Sequence, residues 1–444
     1  MFLKMQSPFS RCNVLDTLIR FVYPVVFFSI LAVRLYGIEP DLIVSANEAA
    51  DYPTIQVALN SIPLKNTERI LILIRAGVYR EKVFIDRNNV TLIGEGPEQT
   101  HIEYPILRRQ WREDNPDDWG AAVVNIKASD VVIQNLTVEN IYGKIYDDHD
   151  HQFAVRLMEG TRIIFDNCHF LSGGGDTVSL WDKESGMYYH RNCYFQGYVD
   201  FVCPRGWCYI TDSRFYQSGK TATLWHEGSK YEDQKLVITN SSFDGVQGFK
   251  LGRRHYNAQF NFVDCKFSTN MADAPIYRVT YPDNPEKDRP NNWGDRYYFY
   301  NAKREDGDYD WHADNIPAPT DDQYTAAWAF VGKWDPELTE DLEPIAYNID
   351  GDKLTLDFDE MVTVKGRPHL VFDGGRHCIY QTGTGSESLN FILHTTGSAP
   401  GGINGNNAID GIILASGATL DNRYFNSARI EGNQGLKYFE VASH

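Results

Sequence analysis

A six-residue pattern recurs along the chain: Phe165-Asp166-Asn167-Cys168-His169-Phe170 returns as His190-Arg191-Asn192-Cys193-Tyr194-Phe195. The unit reads apolar–x–Asn/Asp–small–x–Phe, and related units occupy Ile133–Val138, Ile210–Phe215, Ile238–Phe243 and Phe262–Phe267. Successive units lie 20–32 residues apart, a spacing that is typical of solenoids. Apolar residues alternate with period 2 and turn residues separate the runs. The pattern therefore predicts an all-β protein built as a parallel β-helix.

The recurring positions of this unit have separate physical roles. An Asn or Asp at a repeated bend can hydrogen-bond to the next coil, and a column of Phe rings can fill the interior. Cys168, Cys193 and Cys265 share one repeat position, and we interpret them as buried thiols rather than disulfide partners or metal ligands. The chain has seven cysteines, and no pair has the spacing of a zinc site. A disulfide scaffold is therefore excluded, and no metal site is predicted.

Length and charge restrict the class of protein and of partner. A chain of 444 residues is long for a single core, which favours two domains after a leader. An apolar content of 42% excludes a disordered chain. The net charge of −18 disfavours nucleic acid and anionic membrane surfaces as partners. We expect a soluble monomer that acts on a polysaccharide.

The N-terminal residues are typical of a targeting segment. Lys4, Arg11 and Arg20 precede an apolar run of 13 residues, 21–33. That length fits a signal peptide and is short for a membrane span. We predict that residues 1–37 are a signal peptide, with an uncleaved N-terminal anchor as the alternative, and that the protein is secreted or held at the cell surface.

The remaining segments are predicted around the repeat. Residues 51–60 are predicted to form a helix, with Asp51 as its N-cap and Pro53 in its first turn. Strands are predicted at 71–74, 83–85 and 90–93, and residues 38–340 are assigned to the solenoid. Within it, 281–336 is predicted to form flanking loops, with one helical turn at 325–330. Short strands separated by Gly-rich turns in 341–444 predict a small β-sandwich domain.

Four polar residues stand in apolar or small surroundings: Gln152, Asp176, Asp200 and Arg253, spaced 24, 24 and 53 residues apart. Adjacent coils are about 4.8 Å apart, so Asp176 and Asp200 should lie side by side. A close pair does not readily ionise twice, which suits one nucleophile and one general acid. A retaining glycosidase also uses two carboxylates, about 5–5.5 Å apart. Arg253 as a carboxylate partner and Gln152 as an oxyanion donor favour ester hydrolysis over glycoside cleavage.

Five motifs, in order over about residues 40–335, resemble those of the pectin methylesterases (pectinesterases). Gly77-Val78-Tyr79-Arg80-Glu81 resembles the family's G-x-Y-x-E, and Gln152-Phe153-Ala154-Val155 resembles its Q-A-V-A-L. Gly175-Asp176-Thr177-Val178 resembles Q-D-T-L, and Asp200-Phe201-Val202-Cys203-Pro204 resembles D-F-I-F-G. Leu251-Gly252-Arg253-Arg254-His255 resembles L-G-R-P-W. The C-terminal part, 343–440, more loosely resembles the Ig-like modules of bacterial surface proteins, through a Gly-Thr-Gly turn and Asp421-Asn422-Arg423.

The resemblance implies a right-handed parallel β-helix and a role for each residue of the cluster. Asp200 would be the nucleophile, Asp176 the general acid/base, Gln152 an oxyanion donor and Arg253 the partner of Asp200. The reaction would be demethylation of methyl-esterified homogalacturonan, with pectate and methanol as products. No cofactor is implied.

Three departures from the family pattern bear on activity and substrate. Gly175 replaces the glutamine that precedes the acid and supports the oxyanion in the family. Cys203-Pro204 replaces F-G of the nucleophile motif, and His255 replaces a tryptophan of the sugar cleft. Nearby rings are expected to contact substrate instead: Trp225, His226, His255 and Tyr256. Two alternatives stay open, a weakly active or inactive polysaccharide-binding protein and an esterase for another acidic polysaccharide.

Overall fold

A computed structural model describes residues 40–337, except 48, 68 and 321, and a set of strands between 346 and 421. The chain divides near residue 340 into two compact units. The predicted leader, residues 1–37, lies outside the described residues. Within the described ranges, no helix has the length and apolarity needed to cross a membrane.

Between residues 40 and 337, the described part of the first unit contains 27 short strands. In chain order the first fourteen are β1 (Leu42–Val44), β2 (Ile70–Ile74), β3 (Gly77–Tyr79), β4 (Val83–Ile85), β5 (Val90–Gly94), β6 (Thr100–Tyr104), β7 (Ala122–Lys127), β8 (Val131–Gln134), β9 (Thr137–Asn140), β10 (Phe153–Glu159), β11 (Ile163–Asp166), β12 (His169–Ser172), β13 (Val178–Leu180) and β14 (Met187–Arg191). The others are β15 (Tyr194–Gly197), β16 (Val202–Pro204), β17 (Trp207–Thr211), β18 (Arg214–Gln217), β19 (Ala222–Trp225), β20 (Leu236–Thr239), β21 (Ser242–Gly245), β22 (Lys250–Arg254), β23 (Phe260–Val263), β24 (Lys266–Phe267), β25 (Tyr277–Arg278), β26 (Tyr297–Tyr300) and β27 (Lys303–Arg304).

These strands form three parallel sheets, and each full coil contributes one strand to each sheet. Sheet 1 has the order β1-β2-β5-β8-β11-β14-β17-β20-β23-β26, sheet 2 the order β3-β6-β9-β12-β15-β18-β21-β24-β27, and sheet 3 the order β4-β7-β10-β13-β16-β19-β22-β25. Neighbours in each sheet come from successive coils. The predicted parallel β-helix is confirmed.

The predicted Asn/Asp position is the corner between sheets 1 and 2. All six predicted residues, and Asn301 after them, have positive φ angles of 48–56°. Asn and Asp tolerate this left-handed conformation better than most residues. Asn167 Nδ2 donates to Asn135 Oδ1 at 2.8 Å, and Asn192 Nδ2 donates to Asn167 Oδ1 at 2.9 Å. The corner therefore turns the chain and also links successive coils.

The interior is filled by the columns that the repeat predicted. Phe170, Phe195, Phe215 and Phe243 stack with ring centroids 4.3–5.7 Å apart. Cys168, Cys193 and Cys265 are free and buried, and each thiol lies within 3.6 Å of a backbone carbonyl of the preceding coil. The predicted column of buried thiols is confirmed among these three residues.

The helices lie outside the sheets and are short: α1 (Ile55–Ser61), α2 (Arg108–Asp114), α3 (Tyr142–Tyr146) and α4 (Ala326–Ala329), with two 3-10 turns at Pro285–Lys287 and Asp310–His312. The predicted N-cap of α1 was wrong. Thr54 caps it, whereas the Asp51 carboxylate accepts a hydrogen bond from the backbone of Ile43. Glu81 accepts two further backbone N–H groups of the first turn of α1, so this part of the G-x-Y-x-E motif is structural here.

The loop prediction for 281–336 was partly wrong, because β26 and β27 lie inside it and add to the solenoid. Tyr297–Tyr300 consists of aromatic residues only. Its sequence therefore does not show the alternation of apolar and polar residues that identifies a strand. The predicted helical turn at 325–330 is confirmed as α4. The helix and the residues after it, Phe330 and Trp334, pack on the outer face of sheet 1 against Trp207 and Tyr209.

The second unit contains antiparallel strands: β28 (Ala346–Asp350), β29 (Lys353–Lys365), β30 (His369–Phe372), β31 (Arg376–Thr382), β32 (Ser386–His394), β33 (Ile409–Ile413) and β34 (Thr419–Asp421). Their order is β28-β29-β32-β31-β30-β33, with β34 paired to β29. Leu354 lies opposite Phe391 and Leu356 opposite Leu389, and all four are buried. β29 is 13 residues long, longer than the short strands predicted for this region. The Ig-like sandwich stays a prediction.

Asn167→Ala should lower the free energy of unfolding by about 2–3 kcal/mol, because alanine strains a left-handed corner and removes two side-chain hydrogen bonds. Asn167→Gly is the matched control, since it keeps the corner conformation and loses only the hydrogen bonds. Urea denaturation should rank wild type, glycine and alanine in decreasing stability. Equal stabilities of the two variants would show that the left-handed conformation contributes nothing.

His190 should make the solenoid sensitive to acid. Its ring is fully buried, stacks on Phe165 at 4.6 Å, and neither nitrogen makes a side-chain hydrogen bond to a described residue. Burial lowers its pKa to about 3. The unfolded chain protonates His190 near pH 6.5, so this residue lowers stability as pH falls from about 6.5 towards 3.

His190→Phe should remove that part of the pH dependence. The loss of stability between pH 8 and pH 5 should be smaller in the variant by about 2 kcal/mol. The measurement is urea denaturation at both pH values. An identical loss in the two proteins would contradict a neutral, buried His190.

Candidate active site

Gln152, Asp176 and Asp200 lie in line on three successive coils, just before β10, β13 and β16 of sheet 3. The backbone N–H of each donates to a carbonyl oxygen of the following coil at 2.8–3.0 Å. Since Val178 pairs with Val202 in the ladder, Asp176 and Asp200 occupy equivalent positions one coil apart, a separation of about 4.8 Å between backbones. The structure therefore brings the predicted pair of aspartates together.

Both aspartates have left-handed backbone conformations, with φ of 57° at Asp176 and 53° at Asp200. This conformation changes the direction of the chain where each strand begins. Val178 and Val202, two residues further on, are buried in the core, whereas 16% of the Asp176 side chain stays exposed. The turn places charged groups beside a closely packed interior.

Arg253 comes from β22, which is two strands beyond β16 in sheet 3. Its guanidinium reaches back past β19 to Asp200: Nε donates to Oδ1 at 2.9 Å and Nη2 to Oδ2 at 2.6 Å. This forked arrangement binds both carboxylate oxygens and fixes the orientation of the group. A spacing of 53 residues corresponds to two coils, and the sequence alone did not reveal that the side chain spans them.

The electrostatic state of Asp200 results from opposing effects. The side chain is buried, and this burial raises its pKa, whereas hydrogen bonds and the charge of Arg253 lower it. Asp176 raises it again, so the pKa lies at about 6. Asp200 is consequently an ionised carboxylate above about pH 6, held in a site poor in water, where a carboxylate is more reactive than in solution.

Gln152 is close to this pair but fully buried. Its side-chain nitrogen donates to the carbonyl oxygen of Asp148 at 2.5 Å, and its oxygen accepts from the backbone of Gly143 at 2.9 Å. Both ends of the amide are engaged within the α3 loop. In this conformation the group holds the loop against the solenoid and does not present an N–H to solvent.

Gly175 lies against Val199 of the next coil. A Cβ at this position would be 2.9 Å from Val199 Cγ1 and 3.0 Å from its carbonyl oxygen. A glutamine, the residue of the family motif, would therefore require the neighbouring coil to shift. The local packing therefore suits glycine at this position.

Three of the four predicted substrate-binding residues lie together beside Arg253. The Trp225 ring makes edge contacts with His255 and Tyr256, with centroids 6.2 and 5.9 Å apart. Burial lowers the pKa of His255, and the positive charge of Arg253 lowers it further. His255 and Tyr256 are half-buried, so they form an aromatic surface next to the aspartate pair.

His226 does not belong to that surface, and its predicted role needs correction. Its ring is fully buried, with Nε2 2.9 Å from the carbonyl oxygen of Gly206 and an edge contact to Phe260. Burial lowers its pKa to about 3. Trp225 and His226 are adjacent in sequence, but at the end of a strand they point to opposite faces of the sheet.

A group around Trp181 was missed in the sequence. Arg156 is fully buried, donates to Asp118 at 2.8 Å, and its guanidinium carbon lies 3.2 Å from the centre of the Trp181 ring. Arg205 contacts the same ring at 4.0 Å and pairs with Glu227. The alternation in β13 places Ser179 and Trp181 on the outer face of sheet 3, and this is the signal that could have identified them.

Two histidines in the loop that precedes Gln152 were also missed. His149 stacks on Tyr198 with centroids 3.9 Å apart, and the Nε2 atom of His151 is 4.0 Å from Asp176 Oδ1. Both lie in a loop with alternating Asp and His, residues 147–151. This loop contains no apolar residue that would indicate a strand, so its position beside the site emerged only from the fold.

One group of possible metal ligands occurs among the described residues: His101, Glu103 and Glu139, whose ligand atoms lie within 4.8 Å of one another. It is on the outer face of sheet 2, on β6 and β9. The Lys144 ammonium already pairs with Glu139. The group is separate from the aspartate pair, which lies on sheet 3.

The fold and the group of Asp176, Asp200 and Arg253 define the class: a parallel β-helix protein with two aspartates on one sheet and an arginine that binds both oxygens of one of them. The profile of the Pectinesterase family matches residues 41–242. Pectinesterase 31 of Arabidopsis thaliana is 32% identical over 224 residues, which cover 47% of this chain and 68% of that protein. The chain belongs to the pectinesterase family.

Two further relatives are covered over a smaller share of their own length. Pectinesterase of Petunia integrifolia is 31% identical over 39% of this chain and 44% of its own length, and probable pectinesterase 49 of Arabidopsis thaliana is 30% identical over 54% and 66%. The chain thus spans less than two thirds of these two relatives. Among solved structures, pectin methylesterase PemA from Erwinia chrysanthemi has a TM-score of 0.55 at 19% identity, covering 67% of this chain and 98% of that one. Pectin methylesterase from carrot has a TM-score of 0.53 at 18% identity, covering 66% and 94%.

Replacing Arg253 with methionine should raise the pKa of Asp200 above about 6, because the hydrogen bonds and charge that favour the carboxylate are lost while burial persists. The titration can be followed by carbon-13 NMR of aspartate carboxyl groups, with Asp200→Asn to assign the signal. Arg214→Met, on sheet 2, is the matched control. An unchanged midpoint in Arg253→Met would contradict the electrostatic role of Arg253.

Proposed function

We propose that this protein is a carboxylic ester hydrolase that removes methyl groups from methyl-esterified homogalacturonan. The observation that carries the proposal is the forked contact of Arg253 with Asp200, one coil away from Asp176. The pair supplies an ionised nucleophile and a second carboxyl group for proton transfer. Membership of the pectinesterase family supports the same reaction.

In the first half of the reaction, one oxygen of the Asp200 carboxylate attacks the ester carbonyl carbon. The carbonyl oxygen becomes an oxyanion, and Asp176 then gives its proton to the methoxy oxygen. The bond between carbon and the methoxy oxygen breaks, and methanol leaves. The products of this half are an acyl anhydride on Asp200 and an ionised Asp176.

The second half restores both carboxyl groups. Asp176 takes a proton from a water molecule, whose oxygen attacks the acyl carbon of the anhydride. The bond to Asp200 breaks, Asp200 leaves as a carboxylate, and the substrate keeps a carboxylic acid that releases its proton to solvent. Arg253 stabilises Asp200 as the charged leaving group and keeps it in line for the next cycle.

The surroundings of the pair support a polymeric, acidic substrate. His255 and Tyr256 are half-buried beside the buried Trp225 ring, and partly exposed rings of this kind suit contact with sugar rings. Among the structural relatives, one pectin methylesterase was solved in complex with a hexasaccharide. The apolar run at residues 21–33 fits secretion, which would bring the protein to a substrate outside the cell.

A second candidate function is favoured by the oxyanion side of the site. Gly175 has no side chain to donate, and the Gln152 amide donates to Asp148 instead. Loss of one oxyanion donor lowers a rate by about 10²–10³-fold. A polysaccharide-binding protein with weak or no turnover would have this arrangement, as would an esterase for another acidic polysaccharide.

Methanol release from methyl-esterified pectin tests the proposal. Asp200→Asn should lower kcat by at least about 10³-fold because the nucleophile is lost, and Asp176→Asn by about 10²–10⁴-fold because proton transfer is lost. Asp212→Asn is the matched control, since Asp212 has the same left-handed backbone at another corner. Equal rates for wild type and Asp200→Asn would refute the mechanism. Binding of pectin without methanol release would favour the second candidate.

A further inference from the structure

His151 lies between two carboxylates at the edge of the candidate site. Its Nδ1 is 2.7 Å from Asp150 Oδ1, and its Nε2 is 4.0 Å from Asp176 Oδ1. A carboxylate accepts hydrogen bonds only, so Nδ1 carries a proton towards Asp150. This contact fixes the ring and directs Nε2 towards Asp176.

The Asp150 carboxylate is itself held in place. It accepts the backbone N–H of His151 at 2.8 Å, and its other oxygen lies 3.7 Å from Arg109 Nη1. Arg109 also donates to Asp148 at 3.2 Å, and Asp148 accepts the backbone N–H of Asp150 at 2.9 Å. Helix α2 and the 147–151 loop therefore support the ring from the side opposite Asp176.

The backbone of the same segment is tied to the solenoid. His151 forms a parallel bridge with Gly175, the residue before Asp176. Its carbonyl oxygen accepts the backbone N–H of Arg108 at 3.1 Å. The distance between the imidazole and Asp176 is thus set by adjacent coils and not by a free loop.

We infer that His151 is a positioning residue for Asp176, an inference that rests on the proposed function. In the form with a proton on each ring nitrogen, Nδ1–H donates to Asp150 and Nε2–H can donate to Asp176 Oδ1. The Nε2–H donation orients the Asp176 carboxyl group and leaves Oδ2 to carry the reacting proton. The same N–H stabilises Asp176 as the carboxylate that forms when methanol leaves. The closing movement is about 1 Å, and catalytic hydrogen bonds are often long before substrate binds.

A positioning role differs in its consequences from contact with sugar. The His151 side chain is 42% exposed, so a ring that only touched substrate would affect KM. A ring that orients the general acid affects kcat, and the effect depends on an N–H at the Nε2 position. His151→Gln keeps a donor near that position, whereas His151→Phe keeps only the ring.

Steady-state methanol release from the full chain measures these differences. His151→Phe should lower kcat by about 10–100-fold with KM within about 2-fold, and His151→Gln should recover part of the loss. Asp150→Asn should lower kcat less than His151→Phe. His169→Phe, on sheet 2, is the control. A kcat of His151→Phe within 2-fold of wild type, a change in KM alone, or no recovery in His151→Gln would overturn the inference.

A second measurement separates this inference from the proposed function. In protein labelled with nitrogen-15 histidine, Asp176→Asn should shift the Nε2 resonance of His151, and Asp212→Asn should not. Wild type without methanol release would refute the proposed function. An Nε2 resonance that does not respond to Asp176→Asn would overturn the contact, whether or not the protein is active.

Discussion

The structure depends on the hydrogen-bonded stacking of coils, with a left-handed corner in each coil to keep them in register. Every coil must return to the same three sheets at a spacing of about 4.8 Å. Asn or Asp at the corner between sheets 1 and 2 adopts the required positive φ, and Asn167 links the coils on either side of it. A residue that disfavours this conformation would add backbone strain at a corner that recurs in successive coils.

The same constraint produces the candidate site. Asp176 and Asp200 use left-handed conformations where their strands begin, so equivalent positions on adjacent coils carry carboxylates. Burial raises the pKa of Asp200, and Arg253 opposes this change from two strands away. The register that stabilises the solenoid thereby holds two acidic groups closer than they would stay in water, and the forked arginine keeps one of them ionised near neutral pH.

A loop outside the sheets adds further polar side chains near the aspartate pair. The Asp-rich segment 147–151, just before β10, places His151 near Asp176 and stacks His149 on Tyr198. Gln152, which follows this segment, accepts a hydrogen bond from Gly143 and donates one to Asp148. These hydrogen bonds and the glycine at 175 depart from the family pattern around Asp176, and Cys203-Pro204 departs from it after Asp200, whereas Asp200 and Arg253 follow it.

Sequence alone was enough to predict the repeat, the corner residues, the buried Phe and Cys columns, and the pairing of Asp176 with Asp200, because a solenoid maps equal spacing onto adjacent positions. It also indicated Arg253 and the ring cluster of Trp225, His255 and Tyr256. The folded chain was needed to show that Arg253 spans a strand to reach Asp200, that His226 points into the interior, and that both ends of the Gln152 amide are hydrogen-bonded. It also revealed Trp181 with its two arginines, and His151 beside Asp176. Side-chain direction at strand ends and the path of loops depend on contacts between residues far apart in the chain, and no local period encodes them.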